Sequence, residues 1–237
     1  MTEHTILAFD AELQGLRLQV EKMATLVQQQ IAMTTRALAD GDVSSARKVI
    51  EWEDQVNLLQ REIEQVCIET IARRQPLAID LREIVCAFRV VGDLERIGDL
   101  ARNISTRVLA IDVLPPASLL AGFRQLSHLV SDRLARVIKC YVDRDDADTL
   151  RIWQGDAEID DMHGSLFRNL LTHMFEDPRN IPTCTHLLFC SKNMERIGDH
   201  ATNIAESVHY MLTGKVYESD RPKGADTTAA LVPDCRP

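Results

Sequence analysis

A single pentapeptide occurs twice in this chain. Glu95-Arg96-Ile97-Gly98-Asp99 returns as Glu195-Arg196-Ile197-Gly198-Asp199, 100 residues later, and each copy is followed at the same offset by Asn-Ile (Asn103-Ile104 and Asn203-Ile204). That spacing is too long for a solenoid repeat and reads as one domain-sized unit used twice. Each copy belongs on a helix. At about 100° per residue, Leu94, Ile97, Ala101, Ile104 and Val108 share one side, as do Met194, Ile197, Ala201, Ile204 and Val208. The other side carries Glu95, Asp99 and Asn103 in one copy and Glu195, Asp199 and Asn203 in the other. Two carboxylates one turn apart repel by a few tenths of a kcal/mol, a sign that a cation between them reverses. Gly98 and Gly198 cost about 1 kcal/mol each relative to alanine in a helix interior. A cost incurred twice predicts a close approach to the backbone at both places.

Turn signals divide the rest of the chain. Apolar residues at helical spacing predict a first helix over 7–39, closed by Asp40-Gly41, and Asp42 is the N-cap of a second that runs to Arg74. After Pro76, Asp80 and Glu83 are spaced as a capping box, and a third helix carries the first pentapeptide to about Ala110. Leu114-Pro115-Pro116 is the clearest break. Helices over about 117–142 and 147–175 follow, Asp177-Pro178 interrupts, and Asn180 caps a sixth that ends near Leu212 ahead of Gly214. The expectation is an all-α protein of two tandem, pseudo-symmetric three-helix bundles, six long antiparallel helices in all. The first covers residues 1–113, the second 116–213, and 214–237 is a disordered tail.

Charge and cysteine usage narrow the function. The net charge is −9, with 18 acidic and 13 basic side chains in residues 1–113 and 18 and 14 in the remainder, so no basic patch offers itself to nucleic acid. The six cysteines form no CxxC pair; five sit in apolar helical patterns, and Cys235 reads as an exposed free thiol. Glu3, Asp10 and Glu12 interrupt any apolar leader, and no uncharged stretch reaches the length of a membrane span. These readings predict a cytoplasmic protein with no direct membrane insertion. No nucleophile–base pair, phosphate-cradling loop or dinucleotide fingerprint is present, which favours a regulator over an enzyme.

The doubled motif, extended to Asp93-Leu94-Glu95-Arg96-Ile97-Gly98-Asp99 and to Leu188-Phe189-Cys190 through Glu206, with Glu176-Asp177-Pro178 and Pro76 to Leu81, resembles the PhoU family over about residues 5–213. Members of that family are accessory regulators of bacterial phosphate-specific transport. The resemblance implies two three-helix bundles with a carboxylate site on each, built from an acidic residue followed four positions on by Asp, once on each of two helices. Matched onto this chain, the third helix supplies Glu95 and Asp99, the sixth Glu195 and Asp199, and the fifth Asp156 and Asp160. The second supplies Glu53, with Asn57 where the family usually has Asp. Asn103 and Asn203 extend the rows. The cofactor implied is a metal ion: iron, zinc, manganese or magnesium. An all-oxygen donor set favours hard cations over structural zinc. The implied function is negative control of phosphate uptake and of the phosphate signalling response, through the transporter ATPase subunit and a membrane sensor histidine kinase, by a homodimer. A carboxylate-bridged metal bundle with redox or hydrolase activity is the alternative. His200 reads as a surface or interface residue, because it lies about 100° round the helix from Asp199. Arg96 and Arg196 read as partners of neighbouring carboxylates, and Trp52 and Trp153 as packing residues.

Overall fold

The computed structural model describes residues 2–224, with side chains from residue 8 onward. Eight α-helices follow one another: α1 (Thr2–Asp40), α2 (Val43–Glu51), α3 (Glu53–Arg74), α4 (Ala78–Val108), α5 (Ala117–Asp143), α6 (Thr149–Gln154), α7 (Asp156–Glu176) and α8 (Ile181–Thr213), with a 3₁₀ turn at Pro178–Asn180. Among the described residues there is no strand. The expected stops hold at Gly41 and Gly214, both in the left-handed region at φ 68° and 71°, a conformation that costs glycine little. Asp42 caps α2 by accepting hydrogen bonds from the backbone N–H groups of Ser44 and Ser45.

Two expected helices are each interrupted. The second breaks at Trp52 and the fifth at Gly155, both with αR backbone. At Gly155 a methyl would stand 2.9 Å from Nη2 of the buried Arg133 on α5, so the position is fitted to glycine. Trp52 packs against the core with its indole. The interruptions make Glu53 and Asp156 the first residues of new helices, α3 and α7, where the helix dipole favours a carboxylate.

The apolar stripes of α4 and α8 are buried as their spacing predicts, from Leu94 to Val108 and from Met194 to Val208. α1, α4, α8 and α5 touch in a closed ring, α2 and α3 lie on α1 and α4, and α6 and α7 lie on α5 and α8. The core is therefore one continuous cluster that spans both halves. α4 and α8 run antiparallel: Arg82 Nε donates to the Met211 carbonyl at 3.2 Å near one end, and Asp93 Oδ1 lies 2.8 Å from His200 Nδ1 nearer the middle. His200 is thus an interface residue between the two bundles.

The capping box at Asp80 and Glu83 does not form. α4 starts at Ala78 without a side-chain cap, and Glu83 turns inward. Its carboxylate is 1% exposed and pairs with Arg17 of α1 and, at 3.3 Å, with Arg144 just past α5. Burying a carboxylate is tolerable only with partners of opposite charge. Arg17 from within α1 and Arg144 at the C-terminal cap of α5 supply them, so the residue ties α4 to both. Asn180 likewise precedes α8 without a side-chain cap; Asp177 caps the 3₁₀ turn before it.

The repeated glycines are contact points. A methyl on Gly98 would lie 3.3 Å from Val56 Cγ1 of α3, and one on Gly198 would lie 2.6 Å from Ile159 Cδ1 of α7. Gly92, also inside α4, has open space around it. Gly92→Ala is therefore expected to raise stability in chemical denaturation by about 0.5–1 kcal/mol, the ordinary helix-propensity gain. Gly198→Ala is expected to lose that gain to overpacking against Ile159, a penalty of about 1–3 kcal/mol. Equal gains at both positions would show that α7 does not need the close approach.

Candidate metal centre in each bundle

With α3 drawn onto Gly98, the carboxylates at the start of α3 face those of α4. Glu53 pairs with Arg102 of α4, and Arg96 lies 3.6 Å from Glu95 and 3.7 Å from Asp99. Arg96 thus takes the expected role, whereas Arg196 is exposed and has no ion pair among the described residues. Glu95 and Asp99 are partly buried, and the Glu95 carboxyl is pushed up from its ordinary value by burial, then by the Asp99 charge, with Glu53 adding to it. Asn57 is partly buried on α3, while Asn103 is exposed. Gln30 of α1 is fully buried beside Gly98, and neither of its amide atoms has a hydrogen-bond partner.

The second bundle repeats the geometry with a different cation. Asp156 at the start of α7 is 3% exposed and accepts from the Thr202 hydroxyl of α8 at 3.0 Å. Position 202 is the counterpart of position 102, so a threonine stands where the first bundle has the arginine that neutralises Glu53. The missing charge arrives from beyond α8. Arg221 Nε and Nη2 donate to the two Asp156 oxygens, both at 2.8 Å, and Nη2 also donates to Asp199 Oδ1 at 2.8 Å. Arg221 Nη1 donates to Asn203 Oδ1 at 3.3 Å, and Asn203 in turn donates to Asp93 at 3.4 Å. The backbone N–H of Gly224 donates to Asp160 Oδ2 at 2.9 Å. Burial works against the Arg221 charge, but Asp156 and Asp199 outweigh it and hold the guanidinium above its ordinary value. Burial pushes the Asp199 carboxyl up, opposed by Arg221. Burial also raises Glu195, opposed by Lys192, whose Nζ lies 2.8 Å from Oε1. Glu195 Oε2 is buried without a partner.

Two expectations need correction here. The acidic rows, expected on the side away from the core stripe, are not clear of the packing: Asp156 and Glu195 are buried, because the outer helices α3 and α7 lie over the rows. Nor does the chain leave the second bundle at residue 214. Tyr217 stacks on His209 with ring centroids 4.2 Å apart, sits 4.7 Å from the Trp153 ring, and donates to Thr149 at 3.1 Å. Residues 225–237, Cys235 included, lie outside the described residues. Trp153 is a core residue that donates to Glu206 at 2.9 Å. The signals for the folded-back segment were an aromatic and an arginine in a chain with three tyrosines; neither has a period, so pattern reading passes over them.

The donor chemistry suits a hard cation. Oxygen ligands converge in pairs from two helices, a guanidinium already occupies the space between Asp156 and Asp199, and a buried carboxylate oxygen of Glu195 lacks a partner. As the side chains stand, no three His, Cys, Asp or Glu among the described residues are close enough to enclose a metal ion. Of the expected ligands, Asp156, Asp199 and Asn203 are brought together around Arg221. Asp160 is held by Gly224 and Glu195 by Lys192, while Asn103 is exposed. His163, one turn from Asp160, is partly buried and drawn down by burial, then by Lys192; its Nδ1 has no partner. An open groove of about 600 Å³ between α1 and α3, lined by Lys22, Leu26, Leu58 and Glu62 among others, contains none of the expected ligands.

The model of the PhoU domain matches this chain twice, over residues 20–108 and 123–208. The chain belongs to the PhoU family. It is 46% identical over 229 residues to the phosphate-specific transport system accessory protein PhoU homolog of Rhizobium meliloti (strain 1021), covering 96% of each chain. The homolog of the same description from Caulobacter vibrioides is 42% identical over 224 residues, 94% of this chain and 97% of that one. The crystal structure of PhoU from Pseudomonas aeruginosa superimposes with a TM-score of 0.83 at 35% identity, covering 87% of this chain and all of that one. Each match to the PhoU domain contains one pentapeptide and the outer helix that faces it, so the repeat unit of the sequence is the repeat unit of the family.

Glu95→Gln is expected to stabilise the metal-free protein at neutral pH. The folded-state pKa of Glu95 is raised, so the native state holds the proton more tightly than the unfolded chain and stability falls as pH rises through that window. Removing the charge should gain a few tenths of a kcal/mol at pH 7, and the gain should vanish below about pH 4, where the unfolded glutamate is also protonated. Paired denaturation curves at pH 4 and pH 7 check this; a gain independent of pH would assign it to packing.

Proposed function

We propose that the chain is a cytoplasmic, non-catalytic regulator of phosphate homeostasis. It restrains phosphate uptake by binding the ATPase subunit of the transporter and restrains the phosphate signalling response by binding the membrane sensor histidine kinase, as a homodimer. The observation that carries the reading is the twin acidic site. Two equivalent sets of carboxylates stand on rigid helices at matched positions, each beneath an outer helix, in a protein whose relatives are described as accessory proteins of phosphate-specific transport. No helix among the described residues is long and apolar enough to cross a membrane, so on this reading contact with the membrane components is made by docking.

A metal ion is held in each bundle, by Asp156, Asp160, Glu195, Asp199 and Asn203 in the second and by Glu53, Asn57, Glu95, Asp99 and Asn103 in the first. It supplies positive charge that reverses the repulsion within each row. The same near-burial of Asp156 favours the second reading, a metal centre with redox or hydrolytic activity. The partial exposure of the other row carboxylates, Glu53, Glu95, Asp99, Asp160 and Asp199, favours docking. An oxidase or phosphate-release assay on metal-loaded protein separates the two.

Tagged protein recovered from cells grown in abundant phosphate is expected to carry both the transporter ATPase and the kinase, and to carry less of them after phosphate starvation. Recovery of neither under both conditions would overturn the regulatory reading. The first bundle has three carboxylates and an amide in its facing pairs against four carboxylates in the second, and oxygen sites lose affinity with each negative charge removed. Asn57→Asp is accordingly expected to tighten metal binding at the first bundle, measured as metal per chain in a titration. No change would show that charge count does not set its affinity.

A further inference from the structure

The two bundles neutralise equivalent carboxylates in unequal ways. In the first, Glu53 is paired with Arg102, a residue of α4 itself and therefore fixed within the bundle. In the second, the equivalent helix position is Thr202, and Asp156 is paired with Arg221, which follows the end of α8 by eight residues and lies in a segment with no helix of its own. Three contacts anchor that segment to the second bundle. Tyr217 is inserted between His209 and Trp153, Arg221 bridges Asp156 and Asp199, and Gly224 donates to Asp160. Two of the three anchors, Arg221 and Gly224, are made to carboxylates counted above among the ligands of the second metal centre.

We propose that residues 215–224 are an internal latch and that Arg221 competes with a divalent cation for the second carboxylate site. The proposal rests on the reading of that site as a cation site. The guanidinium and the metal need the same Asp156 and Asp199 oxygens, so they cannot be held together. Cation binding expels Arg221, frees Gly224 from Asp160 and releases the segment from the face of α7 and α8. The first bundle, with its arginine built into α4, has no such exchange. The latch also reports to the interface between bundles, because Asn203 links Arg221 to Asp93 of α4, which is bonded to His200 of α8. Loss of Arg221 removes one acceptor contact from Asn203 and leaves it free to follow the metal.

The test uses full-length protein and Mn²⁺ alone, with two readouts: binding by titration calorimetry, and trypsin cleavage after Lys215, which adjoins the latch. If the latch competes, Arg221→Ala binds one Mn²⁺ roughly tenfold or more tightly than wild type, since two charge-assisted contacts no longer have to be displaced. Without metal the variant is cut after Lys215 faster than wild type, and Mn²⁺ raises the wild-type rate to that of the variant. Tyr217→Ala, which loosens the anchor and spares every carboxylate, moves both readouts the same way by a smaller factor. Adding Asp199→Asn to Arg221→Ala removes the tightened site. Equal Mn²⁺ affinity in wild type and Arg221→Ala, with cleavage unaffected by metal, overturns the latch and leaves the metal centre standing. Absence of Mn²⁺ binding in every variant overturns the metal centre and the competition with it.

Discussion

The closeness of the outer helices to the inner ones governs the arrangement of everything acidic in this molecule. Val56 of α3 rests on Gly98 and Ile159 of α7 rests on Gly198. Side chains at those inner positions would hold the helices apart, and the facing carboxylates would be separate solvated pairs of little consequence. With the methyl groups absent, Glu53 comes over Arg102 and Asp156 comes within reach of Thr202. The helix-propensity cost of each glycine is small beside what the approach produces: a charged face removed from water, where an ion pair or a metal has far more leverage than at a free surface.

Burial then decides how each charge is handled. Glu83 is fastened by Arg17 and Arg144, residues of the frame, and belongs to the architecture. Asp156 has one neutral partner from the frame, the Thr202 hydroxyl, and one charged partner from the segment beyond α8. Glu195 has an exposed lysine on one oxygen and nothing on the other. These three carboxylates form a series from permanent to exchangeable compensation. Conformational change is cheapest where compensation is exchangeable, since the cost of leaving a buried charge unpaired is avoided whenever another cation is at hand.

The parts of the structure legible in the sequence are those that repeat or follow a period. The duplicated pentapeptide located both inner helices, their stripes identified the core, the prolines at 115 and 116 fell between α4 and α5, and the paired glycines announced a close approach. The angle between His200 and Asp199 left that histidine a surface or interface residue, and its bond to Asp93 of α4 makes it the latter. The parts that were not legible arise from single long-range partners. Position 155 is fitted to glycine because Arg133, on another helix, takes the space of a side chain. Glu83 looked like a cap because Asp80 stands three residues before it, yet two distant arginines outbid that local bond. The burial within the rows was not legible because a helical wheel shows the core side and says nothing of how closely a second layer covers the other. Tyr217 and Arg221 carried no pattern at all.

The ring of long helices has a further meaning in its pairing. α4 meets its own counterpart α8, and α1 meets its own counterpart α5, in both cases antiparallel. Like meeting like across a two-fold axis is the rule of an isologous dimer, here drawn inside one chain by the connection through Pro115 and Pro116. A true dimer is bound to change both copies at once. Fusion lifts that obligation, so Leu100 and His200, or Arg102 and Thr202, can differ while occupying the same place in each half. The molecule keeps the rigidity of a symmetric assembly and gains two halves that can answer the same ion differently.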